Sequence, residues 1–303
     1  MEFDFQTILD KLIAFDKATL LQVALPVSLG IIMFSLGLGL KFNDFLRVFR
    51  RPVAFSVGAI NQLLMLPLVA FIIAIIFALP PELSVGLMIL SLCPGGVTTN
   101  FITRLAKGDV ALSVSLTAII SLVSILTVPL MVAFSVGLFM GKEPAVDVSE
   151  LSIKIFTIVA VPVMLGMLVN TILRSLARPV ERFFTIISTL LFILIIGAVL
   201  FSQWDLFTEN LAILGPALII LNIILLFFGW TSARFIGLNA DEATTIAIET
   251  GVQNGTLGIA VGAIIAGSAA GDLSAFALPS AVYSITMYMV TLPFIWFRRI
   301  ART

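Results

Sequence analysis

Two stretches of this sequence carry oxygen-bearing side chains where their surroundings are almost wholly apolar. The first is CPGGVTTNFITRLAKGDVALSVSLT, residues 93–117. The second is IAIETGVQNGTLGIAVGAII, residues 246–265. Pro94-Gly95-Gly96 falls inside the first. Proline removes a helix hydrogen bond and crowds the preceding turn, so a helix is expected to unwind there and restart near Thr98–Asn100, residues suited to capping. Ser113 and Thr117 follow four residues apart, on one helix face. In the second stretch Glu249 is the one carboxylate well inside an apolar run, and Gly251 and Gly255 flank Gln253-Asn254. A second unwound segment is expected there. Gln62 adds an amide in the run AINQLLMLP.

A charge at the centre of a bilayer costs at least about 2.5–3.5 kcal/mol. Glu249 therefore needs a cation, a proton or a bonded partner. The lysines and arginines sit near the ends of the apolar runs, so none is an evident partner. Thr99, Asn100, Ser113, Thr117, Glu249, Gln62 and Gln253 form an oxygen-rich set, the kind hard cations prefer; Na+ is such a cation. Broken helices offer free carbonyls to Na+ and helix N-termini to an anion. Plainer alternatives stay open. A protonated Glu249 bonded to an amide would suit a proton-coupled carrier. Pro94-Gly95-Gly96 could be a packing kink, and Ser113, Thr117 and Gln62 could make bonds between helices.

Such groups must be held by helices in lipid. The chain has 303 residues, 60% hydrophobic and 11% charged, against roughly 25% charged in a soluble domain. One core could not hide so much apolar surface, so the bilayer is the first partner. The fold class predicted is all-α, a polytopic membrane bundle. Nine spans of about 20 or more residues are expected at about 19–40, 53–79, 82–106, 109–139, 150–173, 179–201, 210–235, 241–267 and 273–297. Residues 1–18 form an extracytoplasmic or interfacial segment, and residues 19–303 a single transmembrane domain. With the C-terminus inside, 13 of the 17 basic residues are cytoplasmic and four (Lys11, Lys17, Lys142, Lys154) are outside. The bias of Lys and Arg toward the cytoplasm favours this orientation, with the N-terminus outside. Trp204, Trp230 and Trp296 read as interfacial anchors. Arg104 and Lys107 read as ordinary inside-facing charges that could also attract an anion to the cytoplasmic mouth.

Other functions are set aside by composition. Net charge is zero, so there is no basic footprint for nucleic acid. There is no histidine and one cysteine, Cys93, which excludes HExxH zinc sites, Ser-His dyads and internal disulfides. Acid–base groups are too few for an intramembrane enzyme. Polar residues cluster at midplane rather than line a continuous path, which disfavours a channel. Acidic Glu2, Asp4, Asp10 and Asp16 do not suit a cleavable signal peptide. No obligatory protein partner is called for, and compact loops suggest a bacterial inner (plasma) membrane.

At CPGG followed by TTN, at AKGDVALSVSLT and at ETGVQN, the sequence resembles the bile acid:sodium symporter family, in order and spacing from about residue 23 to 297. The resemblance implies a nine-span member with inverted repeats. It implies a core (about 53–139 and 210–297) with two crossing broken helices, and a panel (about 19–40 and 150–201). It implies sodium-coupled symport of an organic anion by alternating access: a bile acid, a sulfated conjugate or a small carboxylate. Proton-coupled or uncoupled carriage is the alternative on the same fold. By motif, a first Na+ site would use Thr99, Asn100, Ser113, Thr117 and Glu249. A second would use the side chains of Gln62 and Gln253 and carbonyls near Glu249, Thr250 and Val252. The anion is expected at the helix N-termini, Thr98–Asn100 and Gln253 through Asn254 to Gly255. Met287-Tyr288 is expected to border that cavity where bacterial bile-acid-binding members have a His-Asn pair.

Overall fold

A computed structural model describes residues 17–40, 51–141, 148–172, 174–202, 204–266 and 275–300. Apart from short turns these are helical, and no strand occurs among the described residues. Helix α1 is Lys17–Gly39. Helix α2, Pro52–Ile76, contains a π-turn at Asn61–Met65. Helices α3, Pro81–Ser91, and α4, Val97–Leu105, are the two halves of the third expected span. Helix α5 is Val110–Met140. Helix α6 runs from Val148–Ile155 through a π-turn at Phe156–Ala160 into Val161–Ile172. Helices α7, Arg174–Ser202, and α8, Trp204–Phe235, follow. Helices α9, Ala240–Gly251, and α10, Gly255–Ile265, are the halves of the eighth expected span. A 3-10 turn at Ala275–Ala277 leads into α11, Leu278–Ile300.

Local chemistry explains most of these boundaries. Proline opens α2 and α3, where its missing N–H costs nothing. Each π-turn lies just ahead of a proline, Pro67 or Pro162, whose missing N–H frees a carbonyl one turn back. The turn in α2 carries Asn61 and Gln62, both buried. Asp109 caps α5 by accepting from the backbone N–H of Ala111 and Leu112 at 2.9 and 3.1 Å. Asn239 and Glu242 form a capping box at the start of α9.

Among the described residues, five helices are long and apolar enough to cross a membrane: Pro52–Ile76, Val110–Met140, Ser149–Ile172, Trp204–Phe235 and Ala275–Ile300. Large apolar side chains such as Ile76, Phe227 and Trp296 stand on the outside of the bundle, as lipid-facing surface should. Two expected boundaries move. Arg174 and Arg178 lie on α7 rather than in a loop, and α8 starts at Trp204 so that Asp205 and Glu209 lie on its first turns. The N-terminal segment 1–16 and Lys142 lie outside the described residues.

Helix α1 packs most extensively on α6 and α7, while α8 packs on α9 and α11, and α3 on α5. The α1–α6 crossing is close enough to need glycine. A Cβ on Gly37 would stand 2.2 Å from the Val163 carbonyl oxygen, and one on Gly166 would stand 2.3 Å from that of Phe34. Asn170 Nδ2 ties this pair further by donating to Leu40 O at 2.9 Å. Small residues permitting such approach are the usual device where lipid supplies no hydrophobic drive between helices.

Candidate functional site

The helix stops at Ser91 and resumes at Val97, and stops at Gly251 and resumes at Gly255. The restart of α4 is capped by Gly96, without a side-chain cap, rather than by Thr98–Asn100. Asn254 caps α10, its Oδ1 accepting from Leu257 N at 3.2 Å and from Thr256 Oγ1 at 2.6 Å. The two breaks touch: Asn254 N donates to Pro94 O at 2.8 Å. Backbone groups freed by one interruption are thus partly satisfied by the other, since lipid could not do so.

Glu249 lies at this crossing, fully buried. Its Oε1 accepts from Ser113 Oγ at 2.5 Å and its Oε2 from Thr117 Oγ1 at 3.0 Å. Ser113 Oγ also lies 2.8 Å from Asn100 Oδ1. Thr99 Oγ1 donates to Gly96 O at 2.8 Å and lies 3.3 Å from Thr117 Oγ1. The four-residue spacing of Ser113 and Thr117 therefore places both hydroxyls on one carboxylate. A hydroxyl has a single hydrogen. Ser113 thus cannot satisfy both Asn100 Oδ1 and Glu249 Oε1, and no ammonium or guanidinium of the described residues bonds to the cluster.

Gln62 and Gln253 stand beside it. Gln62 Nε2 donates to Glu249 O at 2.9 Å and Gln253 Nε2 to Thr250 O at 2.8 Å, while the Oε1 atoms of both are buried without a partner. The structure thus gathers Thr99, Asn100, Ser113, Thr117 and Glu249 in one group. It gathers Gln62, Gln253, Thr250 and the neighbouring Val252 in an adjoining one.

Sequence reasoning missed two residues here. Asn222 Nδ2 donates to Gly251 O at 2.5 Å and to Tyr283 OH at 2.8 Å, and Tyr283 OH donates to Gly251 O at 2.7 Å. Together they hold the last carbonyl of α9. An asparagine midway along the apolar run of α8 was the available signal. Asn222→Leu or Tyr283→Phe alone should lower stability by about 1 kcal/mol. The double variant leaves a buried carbonyl orphaned and should cost about 1–3 kcal/mol beyond the sum of the singles. Thermal unfolding in detergent measures this, and strict additivity would refute shared capping.

A cavity of about 360 Å³ opens beside the crossing. Gly96 and Thr98 from the start of α4 line it, as do Asn254 and Thr256 from the start of α10. Met33 and Leu36 of α1 and Ser188 of α7 line its other side. Both helix N-termini, each with partial positive charge, border the same space. The expected substrate residues divide. Thr98 and Asn254 line the cavity, and Tyr288 lies near Thr98. Met287 is fully buried in the apolar cluster with Leu218 and Val282 and is not among the residues that line the cavity. Gly255 is a packing residue, since a Cβ there would stand 1.7 Å from Ser284 Oγ.

Two charged or aromatic side chains also depart from expectation. Trp230 is not an open interfacial anchor: the guanidinium of Arg298 lies 5.4 Å from its ring centroid. Arg298 is buried there, its Nε donating to Thr244 Oγ1 at 3.3 Å, because a guanidinium stacked on an aromatic face tolerates burial. Across the same end of the bundle Arg51 pairs with Glu242 at 3.0 Å.

Comparison with known proteins identifies a family. The model of the family described as the Sodium Bile acid symporter family matches residues 26–210. A Bacillus subtilis protein named as an uncharacterized sodium-dependent transporter, YocS, is 32% identical over 86% of this chain and 78% of its own length. A rice protein named as a probable chloroplastic sodium/metabolite cotransporter, BASS2, is 32% identical over 77% of this chain. The match spans about half of that plant protein, 54% of its length. The human ileal sodium/bile acid cotransporter is 29% identical over 78% of this chain and 68% of its own length.

Proposed function

Because the chain belongs to the Sodium Bile acid symporter family, and is thus an integral membrane transporter and not an enzyme, we propose that it carries a small organic anion together with sodium by alternating access. In this reading the chain crosses a bacterial plasma membrane nine times, α3–α4 and α9–α10 each making one interrupted span, and the Lys and Arg bias favours a cytoplasmic C-terminus. The observation that carries sodium coupling is the donor deficit around Glu249. A buried carboxylate, an amide oxygen and three hydroxyls converge with no cationic side chain among the described residues to neutralise them.

One Na+ is held by Thr99, Asn100, Ser113, Thr117 and Glu249. A second is held by Gln62 and Gln253 with the carbonyls of Glu249, Thr250 and Val252. The two orphaned Oε1 atoms support the second site. Turning each amide over would exchange its N–H contact with a carbonyl for an oxygen on the ion. The anion lies in the cavity of about 360 Å³, its charge toward the N-termini of α4 and α10 and its body against Met33 and Leu36. Thr98 and Asn254 make its polar contacts, with Tyr288 acting through Thr98. Sulfated conjugates and small carboxylates fit this charge pattern as well as bile acids.

Bound sodium holds the crossing together. The core of α2–α5 and α8–α11 then shifts against the panel of α1, α6 and α7, exposing the cavity on the inner side. Two Na+ with one monovalent anion carry one net positive charge inward, which the membrane potential favours by about 2.3 kcal/mol per 100 mV. A second mechanism rests on one specific contact. A proton on Glu249 would supply the hydrogen that the Ser113–Asn100–Glu249 cluster lacks, which would make the carrier proton-coupled. Uptake of radiolabelled organic anions into proteoliposomes decides between them. An imposed inward sodium gradient should accelerate uptake at constant pH. Equal uptake without sodium would refute sodium coupling, and uptake that follows a pH gradient alone would favour the proton.

A further inference from the structure

A second cavity of about 350 Å³ adjoins the first, with Leu36, Phe101 and Thr185 lining both. No step described above uses it. Arg104 and Asn100 line it from α4, and Val110 and Val114 from α5. Arg104 and Asn100 are four residues apart and so share one helix face. Asn100 Oδ1 is turned to Ser113, which leaves its Nδ2 end as the donor toward the cavity. Arg104 is exposed and belongs to neither of the ion pairs among the described residues. Among the described residues, none of those lining the cavity is a carboxylate. One unpaired guanidinium, one amide donor and apolar walls make a site for an oxyanion on an apolar body. A guanidinium grips such a head group with two parallel hydrogen bonds.

We propose that this second cavity is a separate binding station for the carboxylate or sulfonate of a small organic anion, gripped by Arg104 and the amide of Asn100. The station rests on the assignment of the chain as an anion carrier but not on sodium coupling. Thr98 and Arg104 are six residues apart, about 9 Å along α4, so an anion leaving the helix N-termini meets Arg104 within one short move. Phe101, 67% exposed, stands between the two cavities and divides them. Asn100 serves both sites, its oxygen on the Ser113 hydroxyl and its nitrogen toward the departing anion.

The test uses the full chain in lipid nanodiscs with a reporter thiol, Val114→Cys, in the second cavity; the native Cys93 is buried. The thiol is modified with anionic methanethiosulfonate ethylsulfonate and, separately, with the cationic ethyltrimethylammonium reagent. The anionic reagent should react faster by about tenfold, the lower end of electrostatic focusing in a cleft. Arg104→Gln should erase that preference and Arg104→Lys should keep most of it. Millimolar benzoate should slow modification in the parent and not in Arg104→Gln. Equal rates for both reagents, no modification at all, or benzoate protection that survives Arg104→Gln would each overturn the station. Sodium-induced thermal stabilisation is read on the same samples. Its loss in Arg104→Gln would make Arg104 a structural residue and overturn the proposal. Its absence in the parent would count against sodium coupling alone and leave the station standing.

Discussion

Glu249→Gln should remove most of the response of the protein to sodium while making the sodium-free protein more stable. The substitution keeps the shape of the side chain and removes its charge. Glu249 is fully buried and its partners are neutral hydroxyls of Ser113 and Thr117. Without a cation an ionised carboxylate in such a place is destabilising, by several kcal/mol after relaxation. With a cation it becomes the chief attraction: two unit charges about 4 Å apart gain about 4 kcal/mol at an effective dielectric constant of 20. Losing that gain weakens sodium binding by about a thousandfold. Thermal unfolding across a sodium titration separates the two effects. The parent should melt progressively higher as sodium is added. Glu249→Gln should start higher and keep only the smaller rise due to the adjoining glutamine site, and its uptake should fall to the sodium-independent background. A Glu249→Gln protein that keeps the parental sodium titration would remove Glu249 from the site.

Gly95→Ala should be nearly as damaging, while Gly96→Ala, one residue along, should keep its sodium response. A Cβ on Gly95 would stand 2.7 Å from Glu249 Oε2 and 2.8 Å from Thr99 Oγ1. Neither group can retreat freely, because Asn254 N on Pro94 O pins the two breaks together. The methyl group would therefore push into the cluster proposed to hold Na+, at a strain of about 1–3 kcal/mol. Gly96 differs. Its φ of −137° is extended backbone open to alanine, and the atom nearest to a Cβ there is Thr98 Oγ1 at 3.7 Å. Sodium-dependent stabilisation of the two variants, measured side by side, provides the comparison. Equal tolerance of both would show that the glycines serve only to unwind the helix and that the carboxylate lies farther from Gly95.

The pairing of these glycines shows how the sequence could mislead. Adjacent to Pro94 they read as a pair that loosens the backbone. In the fold neither takes a left-handed conformation: among the described residues positive φ occurs at Gly141, Gly237, Ala78 and Lys107. Gly95 is small because a carboxylate approaches it from another helix, 154 positions along the chain, and no local pattern announces such a contact. The sequence expectations for Arg174, Arg178 and Asp205 failed for a related reason. A charged residue reads as a loop, yet a helix extending past the apolar slab keeps its backbone hydrogen bonds, so a charge in the sequence need not end it.

The sequence by itself determined the features that depend on local chemistry. Proline and glycine inside apolar runs interrupted two helices, a four-residue spacing set Ser113 and Thr117 on one face, and the cost of burying Glu249 demanded a counterpart. Each follows from covalent geometry or from the solvation of a single group, so a stretch of twenty residues is enough to reveal it. Only the tertiary structure decided which groups meet. It brought Asn254 to Pro94, set Asn222 and Tyr283 on the last carbonyl of α9, buried Arg298 under Trp230, and placed Met287 in the core instead of the cavity. Those outcomes depend on how helices distant in sequence cross, and in a membrane that is settled by close packing and mutual hydrogen bonding, which leave little periodic trace in a uniformly apolar chain.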